Sequence, residues 1–295
     1  MDVLVITHFL NGLLMIALPI LLGIYLINKF HLSGRFWWIG AGTFIISQVF
    51  HLPFNTYLLN PFLLEIQQTY QGIAGLILIA LLLGLSAGIF EESARYCMYR
   101  WWARDARTWR SGILAGAGHG GIEAILLGIL VLISFLNMMV YRNQDLSRLN
   151  LTINQLQIAS QQLQAYWNAP WYMTLLGAVE RVFTIPFHIA ASLLVLQVFT
   201  RHEGHQQIRW LLAAILYHAF ADAAGVFVAR QWGAYIAEAA LGLLAVLAVI
   251  IIFAFRRAEP ELPLPPSKTV VVKLPDFKPT PIEESSDNLE KTRYQ

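Results

Sequence analysis

The chain contains seven long apolar runs, and this pattern restricts its fold more than any other feature. Each run has about 20 residues or more, the length that an α-helix needs to cross a bilayer. The runs cover residues 3–28, 36–58, 70–98, 111–140, 170–200, 208–229 and 232–255. Only 13% of the residues are charged, whereas soluble domains have about 25%. The sequence therefore predicts an all-α polytopic membrane protein with about seven transmembrane helices.

The basic residues between these runs predict the orientation of the helices. Lys and Arg collect in the cytoplasmic connections of membrane proteins. They are concentrated after the first, third, fifth and seventh runs, and the third connection alone holds Arg100, Arg104, Arg107 and Arg110. This alternation predicts an N-terminus outside and a C-terminus inside. Asp2 stands where a cleaved signal peptide would have a basic residue, so we expect the first run to be a membrane span.

The composition changes sharply near the end of the chain. Residues 1–257 form the predicted transmembrane domain, with its motifs at about 85–225. Residues 258–295 are rich in Pro and in charged residues, which predicts a disordered cytoplasmic tail. The connection 141–169 is rich in Gln and Asn, with apolar residues at helical spacing. An amphipathic surface helix and a polar loop both remain possible there.

Two adjacent glutamates close to the end of the third run point to a function. Glu91 and Glu92 belong to the pattern E-E-x-x-R, in which Arg95 can reach either carboxylate on a helix. An ionised carboxylate in hydrocarbon costs on the order of 2–4 kcal/mol on insertion scales, so such residues are rare unless paired or functional. The alternative is a solvated Glu/Arg pair at a cytoplasmic helix end.

The fourth and sixth runs each contain a histidine and a carboxylate at a spacing of four residues. His119 and Glu123 share one helix face and lie among glycines. Those glycines would allow close helix packing or give room to a substrate backbone. His218 and Asp222 repeat the spacing in run six. A carboxylate one turn from an imidazole can hold its tautomer.

The fifth run adds further polar residues at a similar depth. Glu180 and Arg181 can neutralise one another or partners on other helices, and His188 lies further toward the inside. At 1.5 Å per residue, His119, His188 and His218 lie ~14–18 Å from the inner helix ends. Histidines and carboxylates of four runs thus share the inner half of the membrane. We expect a hydrophilic functional site that opens toward the inside.

These residue types suit the hydrolysis of a peptide bond. A carboxylate can act as a general base on water while an imidazole or a metal stabilises the oxyanion. Three neutral histidines, His119, His188 and His218, with an open fourth position would also suit zinc. The sequence has neither H-E-x-x-H nor G-x-S-x-G, and its one cysteine, Cys97, has no histidine near it.

The motifs and their order resemble the YhfC family of intramembrane metalloproteases. That family is related to the PrsW-type and the CAAX-protease and bacteriocin-processing membrane peptidases. The patterns E-E-x-x-R, G-H-x-x-x-E, E-R and H-x-x-x-D follow one another on separate runs. The resemblance implies that the glutamate pair and the histidines activate the attacking water. The functional residues that it implies are Glu91, Glu92, Arg95, His119, Glu123, Glu180, His218 and Asp222.

The residues and the resemblance together predict an intramembrane peptidase that acts on membrane-associated proteins. Glu91 or Glu92 is the expected general base, and a divalent metal, with zinc as the candidate, is the expected cofactor of a metal-dependent mechanism. The expected partners are the lipid bilayer and a membrane protein or peptide substrate, with no nucleic acid. The expected location is the plasma (inner) membrane of a prokaryote.

Two other functions remain open on the sequence. A transporter, or a carrier of protons or metal ions, would use the same intramembrane His, Asp and Glu residues. A non-catalytic scaffold or sensor would instead recruit a partner through its basic inner connection and its Pro-rich tail.

Overall fold

A computed structural model describes residues 2–201 and 207–256, and nearly all of them are helical. The helices in chain order are α1 (Val3–Phe30), α2 (Arg35–Phe54), α3 (Asn60–Thr69), α4 (Gly72–Cys97), α5 (Trp109–Tyr141), α6 (Ile153–Trp167), α7 (Leu176–Thr200), α8 (Ile208–Trp232) and α9 (Ala234–Ala254). The described residues contain no strand, which confirms the predicted all-α class. The predicted tail, residues 258–295, lies outside this part of the chain.

Six helical segments are long and apolar enough to cross a membrane. They are Val3–Phe30, Gly72–Trp102, Trp109–Tyr141, Met173–Thr200, Ile208–Trp232 and Ala234–Ala254. The protein is therefore an integral membrane protein. The second predicted span, 36–58, corresponds to α2 and the π-helical segment Asn55–Leu59, and it is not among the six. The count of seven spans and their orientation stay predictions.

Helix α7 lies at the centre of the bundle. In its most apolar window, 72% of the residues are buried, against at most 33% in the other five segments. Charged and polar residues of a membrane span turn toward the bundle interior, and α7 carries buried Arg181, His188 and Gln197. It packs against α5, α8 and α9, while α4 packs against α8 and α2. The four helices that carry the motifs, α4, α5, α7 and α8, thus surround one region.

Glycines in α5 allow α2 and α7 to approach it closely. A Cβ atom at Gly118 would lie 1.9 Å from the carbonyl oxygen of Trp37 in α2. A Cβ atom at Gly120 would lie 2.8 Å from Cδ2 of His188 in α7. The space beside these glycines is filled by neighbouring helices, so their role is packing, not room for a substrate. Gly120 in particular lets the His188 ring lie next to His119.

Charged side chains outside the spans tie helix ends together. Arg35, at the start of α2, donates from Nη1 to Oδ2 of Asp105 at 2.7 Å. This hydrogen bond holds the pKa of Asp105 below its ordinary value. At the other end of the bundle, Arg142 pairs with Asp2, and this contact lowers the pKa of Asp2.

The connection 141–169 contains helix α6, which agrees with the predicted helix and not with the predicted polar loop. Helix α6 starts with a capping box formed by Thr152 and Gln155. The ring of Tyr166 stacks on His8 of α1 with centroids 3.8 Å apart. Trp167 donates from its indole nitrogen to the carbonyl oxygen of Met138 at 3.3 Å. These contacts hold α6 against the ends of α1 and α5.

The close approach of α2 to α5 gives a matched pair of substitutions. A Cβ atom at Gly40 would lie 2.0 Å from the carbonyl oxygen of Ala115, whereas Gly42 has no neighbour within 4 Å. We expect Gly40→Ala to lower the free energy of unfolding by about 1–3 kcal/mol, since α2 must move. Gly42→Ala should leave it unchanged or raise it by up to ~1 kcal/mol. Thermal unfolding in detergent measures both, and equal stabilities would contradict this packing.

Candidate active site

Glu91 is the member of the glutamate pair that reaches a cavity. The cavity has a volume of about 630 Å³ and lies between α2, α4, α5, α7, α8 and α9. Oε2 of Glu91 lies 3.0 Å from Nε2 of His119 on α5. Gln48 of α2 donates from Nε2 to Oε1 of Glu91 at 3.1 Å. Both carboxylate oxygens of Glu91 therefore have partners, and the residue is only 6% exposed.

Glu92 lies behind Glu91, is fully buried and is not among the residues that line the cavity. Its Oε1 accepts from Nη1 of Arg95, and the same oxygen lies 2.6 Å from Nδ1 of His218. Because a carboxylate can only accept, Nδ1 of His218 carries the hydrogen. The other ring nitrogen, Nε2, is then the one that faces Asp222 and Glu91.

Arg95 links the glutamate pair to α7. Its guanidinium group is fully buried and contacts Glu92 directly. Nη2 donates to Nδ1 of His188 at 2.8 Å and lies 3.8 Å from Oε2 of Glu91. The E-E-x-x-R pattern therefore does form an intrahelical pair. The alternative of a solvated pair is wrong because Arg95 has no exposed surface.

A second arginine organises the other side of His188. Nε2 of His188 lies 2.6 Å from Oε2 of Glu123 on α5. Arg181 donates from Nη1 to Oε1 of Glu123 at 2.8 Å and also pairs with its neighbour Glu180. The predicted neutralisation of Glu180 by Arg181 is thus present and extends to Glu123 on another helix.

His218 lies among three carboxylates. Besides its contact with Glu92, its Nε2 is 3.5 Å from Oδ2 of Asp222 and 3.8 Å from Oε2 of Glu91. Asp222 lines the cavity and its side chain is 40% exposed. Through these contacts, every residue that the motifs predicted belongs to one network across α4, α5, α7 and α8.

Three buried residues form a group that can hold a metal ion. One ligand atom from each of Glu91, His119 and His188 lies within 4.8 Å of the other two. Two histidines and one glutamate are also the protein ligands of several catalytic zinc sites. The predicted ligand set contained His218 in place of Glu91. His218 lies outside this group, and its Nδ1 is bound to Glu92.

The charges and the unpaired atoms of the site also fit a cation. The network contains five carboxylates and two guanidinium groups. Its fixed negative charges therefore exceed its fixed positive charges by three. Within the described residues, Nδ1 of His119 and Oε2 of Glu92 are buried without a hydrogen-bond partner. Unpaired buried atoms and excess negative charge are both relieved by a bound cation or by protons. The residues present therefore fit a divalent metal.

The cavity lining leads away from the Arg-rich end of the bundle. It extends from Glu91 to Ala229 and Ala234, which are exposed on either side of the α8–α9 turn. That turn lies at the end opposite the Arg-rich connection between α4 and α5. The basic residues predict that the Arg-rich end faces the inside, so the side of the membrane to which the site opens stays a prediction.

Buried side chains between the site and the Arg-rich connection close that end of the bundle. Tyr99 lies one turn after Arg95, and Ser192 lies one turn after His188. Both are fully buried, and their hydroxyl groups are 2.7 Å apart. Helical depth gives the distance of a residue from each helix end, but not which end is closed by side chains.

Residues outside the four motifs also line the cavity. They include His51 and Asn55 on and just after α2, and Glu238 on α9. Gln48 does not line it but binds Glu91. A polar residue in an apolar run is the signal that would have found Gln48 and His51. Asn55 begins the π-helical segment, which starts two residues after Pro53.

Comparison with known proteins identifies the family. A family model described as YhfC intramembrane metalloprotease matches residues 14–250. The uncharacterized membrane protein YhfC of Bacillus subtilis (strain 168) is 33% identical over 233 residues, which cover 75% of this chain and 83% of that protein. No solved structure matches. On the extent of both matches, the chain belongs to the YhfC intramembrane metalloprotease family.

Proposed function

We propose that the protein is an intramembrane metallopeptidase that hydrolyses peptide bonds of membrane-associated proteins. The observation that carries this proposal is the buried group of Glu91, His119 and His188 beside a cavity of about 630 Å³. The family description supports the same reaction. The bacterial relative supports the plasma membrane of a prokaryote as its location.

Glu91, His119 and His188 are the residues that would hold the metal. A bound divalent cation supplies a Lewis acid and lowers the pKa of a water to ~7. Gln48 holds the Glu91 carboxylate from the side opposite His119. Both ring nitrogens of His188 have partners, Arg95 and Glu123, so His188 would give up one of these contacts to hold the metal. Arg181 holds Glu123 independently of His188.

His218 is the group best placed to move a proton. Glu92 fixes its Nδ1–H tautomer, so Nε2 is the atom that accepts a proton at the cavity. The carboxylates of Glu92, Asp222 and Glu91 then stabilise the imidazolium. His218 takes up the proton that the attacking water loses and returns it to the amine that leaves. Glu92 is therefore a positioning residue in this proposal.

A carrier of ions is less consistent with the packing. A fixed pore or proton relay needs polar groups or water along its whole path. Among the described residues, the Arg-rich side of the site is filled by buried Met98, Leu193 and Leu196 around the Tyr99–Ser192 pair. This packing interrupts such a path, whereas a hydrolase needs access from one side only.

Metal content distinguishes the two possible ligand sets. We expect wild-type protein purified in detergent to hold about one divalent metal ion per chain. His119→Ala and His188→Ala should each lose it, because both remove a ligand. His218→Ala should keep it, because His218 lies outside the group. Elemental mass spectrometry measures this, with thermal unfolding as the check on folding.

Two results would contradict this assignment. Loss of metal in His218→Ala, with retention in the Glu91→Gln variant, would restore the histidine-only set. Absence of metal from the folded wild type under metal-replete conditions would remove the metallopeptidase mechanism.

His218→Gln tests the proton-transfer role. We expect kcat to fall by about 10²–10⁴, the usual contribution of a general acid–base residue, while metal content stays the same. Tyr217→Phe is the matched control, since the adjacent Tyr217 hydroxyl has no hydrogen-bond partner in the described part of the chain and does not line the cavity. The assay uses protein in liposomes together with solubilised prokaryotic membrane proteins, and mass spectrometry maps the new N-termini. Full activity of folded His218→Gln would refute the role.

A further inference from the structure

A second cavity adjoins the candidate active site. It has a volume of about 700 Å³ and lies between α3, the first part of α4 and the last part of α8. Leu83 of α4 and Val226 of α8 line both cavities. The two cavities are therefore neighbours that meet at these two residues.

The two cavities differ in chemistry. Four carboxylates besides Glu91 line the first, namely Glu123, Glu180, Asp222 and Glu238. The second is lined by the neutral side-chain amides of Asn60, Gln67 and Gln71 and by apolar residues of α3 and α4. Of the described residues that line it, Arg230 alone carries a charge. The second cavity therefore suits a neutral ligand with hydrogen-bonding groups.

The first cavity also has a side-chain amide in its lining, that of Asn55. Ser86 donates from Oγ to Oδ1 of Asn55 at 2.9 Å, and Nδ2 of Asn55 lies 3.0 Å from Nε2 of His51. Nε2 of His51 also lies 2.9 Å from Oγ of Ser86. Since His51 can take at most one N–H of the Asn55 amide, at least one remains for a ligand. Asn60 follows at the other end of the π-helical segment. Amide groups thus line both cavities and stand at both ends of the π-helical segment between them.

The hydrogen bonding of a membrane-spanning substrate explains such a lining of amides. In a helix, every main-chain N–H and C=O is paired, and a nucleophile cannot reach the carbonyl until the helix unwinds. Each unpaired main-chain group costs several kcal/mol in a bilayer. An amide side chain both donates and accepts, so it can pair with the main chain of an extended peptide whatever the peptide sequence.

We propose that the second cavity binds an unwound, extended segment of a membrane-protein substrate, whose neighbouring peptide bond lies at Glu91. The inference rests on the proposed peptidase function and specifies the form of its substrate. Asn55, Asn60 and Gln67 hydrogen-bond the main chain of this segment. They are binding residues and take no part in the chemical step.

Two adjacent glutamines on α3 provide the test. Gln67 lines the cavity and Gln68 does not, and both are exposed. The substrate is a fluorogenic peptide that spans the cut site mapped for the wild type. We expect Gln67→Leu to raise KM by about 2- to 10-fold, as the loss of one hydrogen bond predicts, with kcat within about twofold since only binding is lost. Gln68→Leu should match the wild type, and both should unfold at the wild-type temperature.

A crosslinking pair tests occupancy without catalysis. Leu64 lines the second cavity and the adjacent Glu65 does not. In the His218→Gln background, Leu64→p-benzoylphenylalanine should crosslink to the peptide, and Glu65→p-benzoylphenylalanine should not.

The outcomes separate this inference from the proposed function. Wild-type cleavage with equal KM values for Gln67→Leu and Gln68→Leu would overturn the inference alone. Crosslinking of position 64 to phospholipid, and not to the peptide, would also overturn it, since the cavity would then be a lipid site. Failure of the wild type to cleave any membrane protein would overturn the proposed function, and the inference with it.

Discussion

The buried guanidinium group of Arg95 is the interaction on which the site depends. It pairs with Glu92 on its own helix and donates to His188 on α7, without any exposure to solvent. Removal of one partner from a buried ion pair typically costs about 3–5 kcal/mol, because the other charge remains uncompensated. Helices α4 and α7 are thus held in one register. That register also places Glu92 against His218 and leaves Glu91 at the cavity.

The adjacent glutamates have different environments, although their sequence positions make them look equivalent. Successive helical residues point about 100° apart, so only one of them can face the cavity. Glu91 lies between Gln48 and His119 beside the cavity, whereas Glu92 is enclosed by Arg95 and His218. The first is suited to binding a metal or a water. The second is suited to fixing the tautomer of an imidazole.

Sequence spacing predicted some contacts within a helix but not the partners on other helices. His218 and Asp222, four residues apart, do approach each other, and the all-α class followed from the apolar runs. His119 and Glu123, also four residues apart, contact Glu91 and His188 instead of each other. The pairing of His119 with Glu91 depends on which helices are neighbours, which spacing does not define. Spacing also does not show that buried Tyr99 and Ser192 fill the bundle between the site and the Arg-rich end. The contribution of α2 and of the π-helical segment after it was not predicted, because Gln48 and Asn55 belong to none of the four motifs. Both contact residues of α4.

In the proposed peptidase, chemistry and substrate binding occupy different places. The charged network is largely buried and held by contacts on nearly every member, as preorganised electrostatics requires. The second cavity lies beside α3, of whose ten residues only Ile66 is buried, and its polar side chains are mostly neutral amides. An acidic lining there would select substrates by charge and would have to be neutralised in the bilayer. Neutral amides avoid both effects, so under this proposal the site would accept unwound segments of differing sequence.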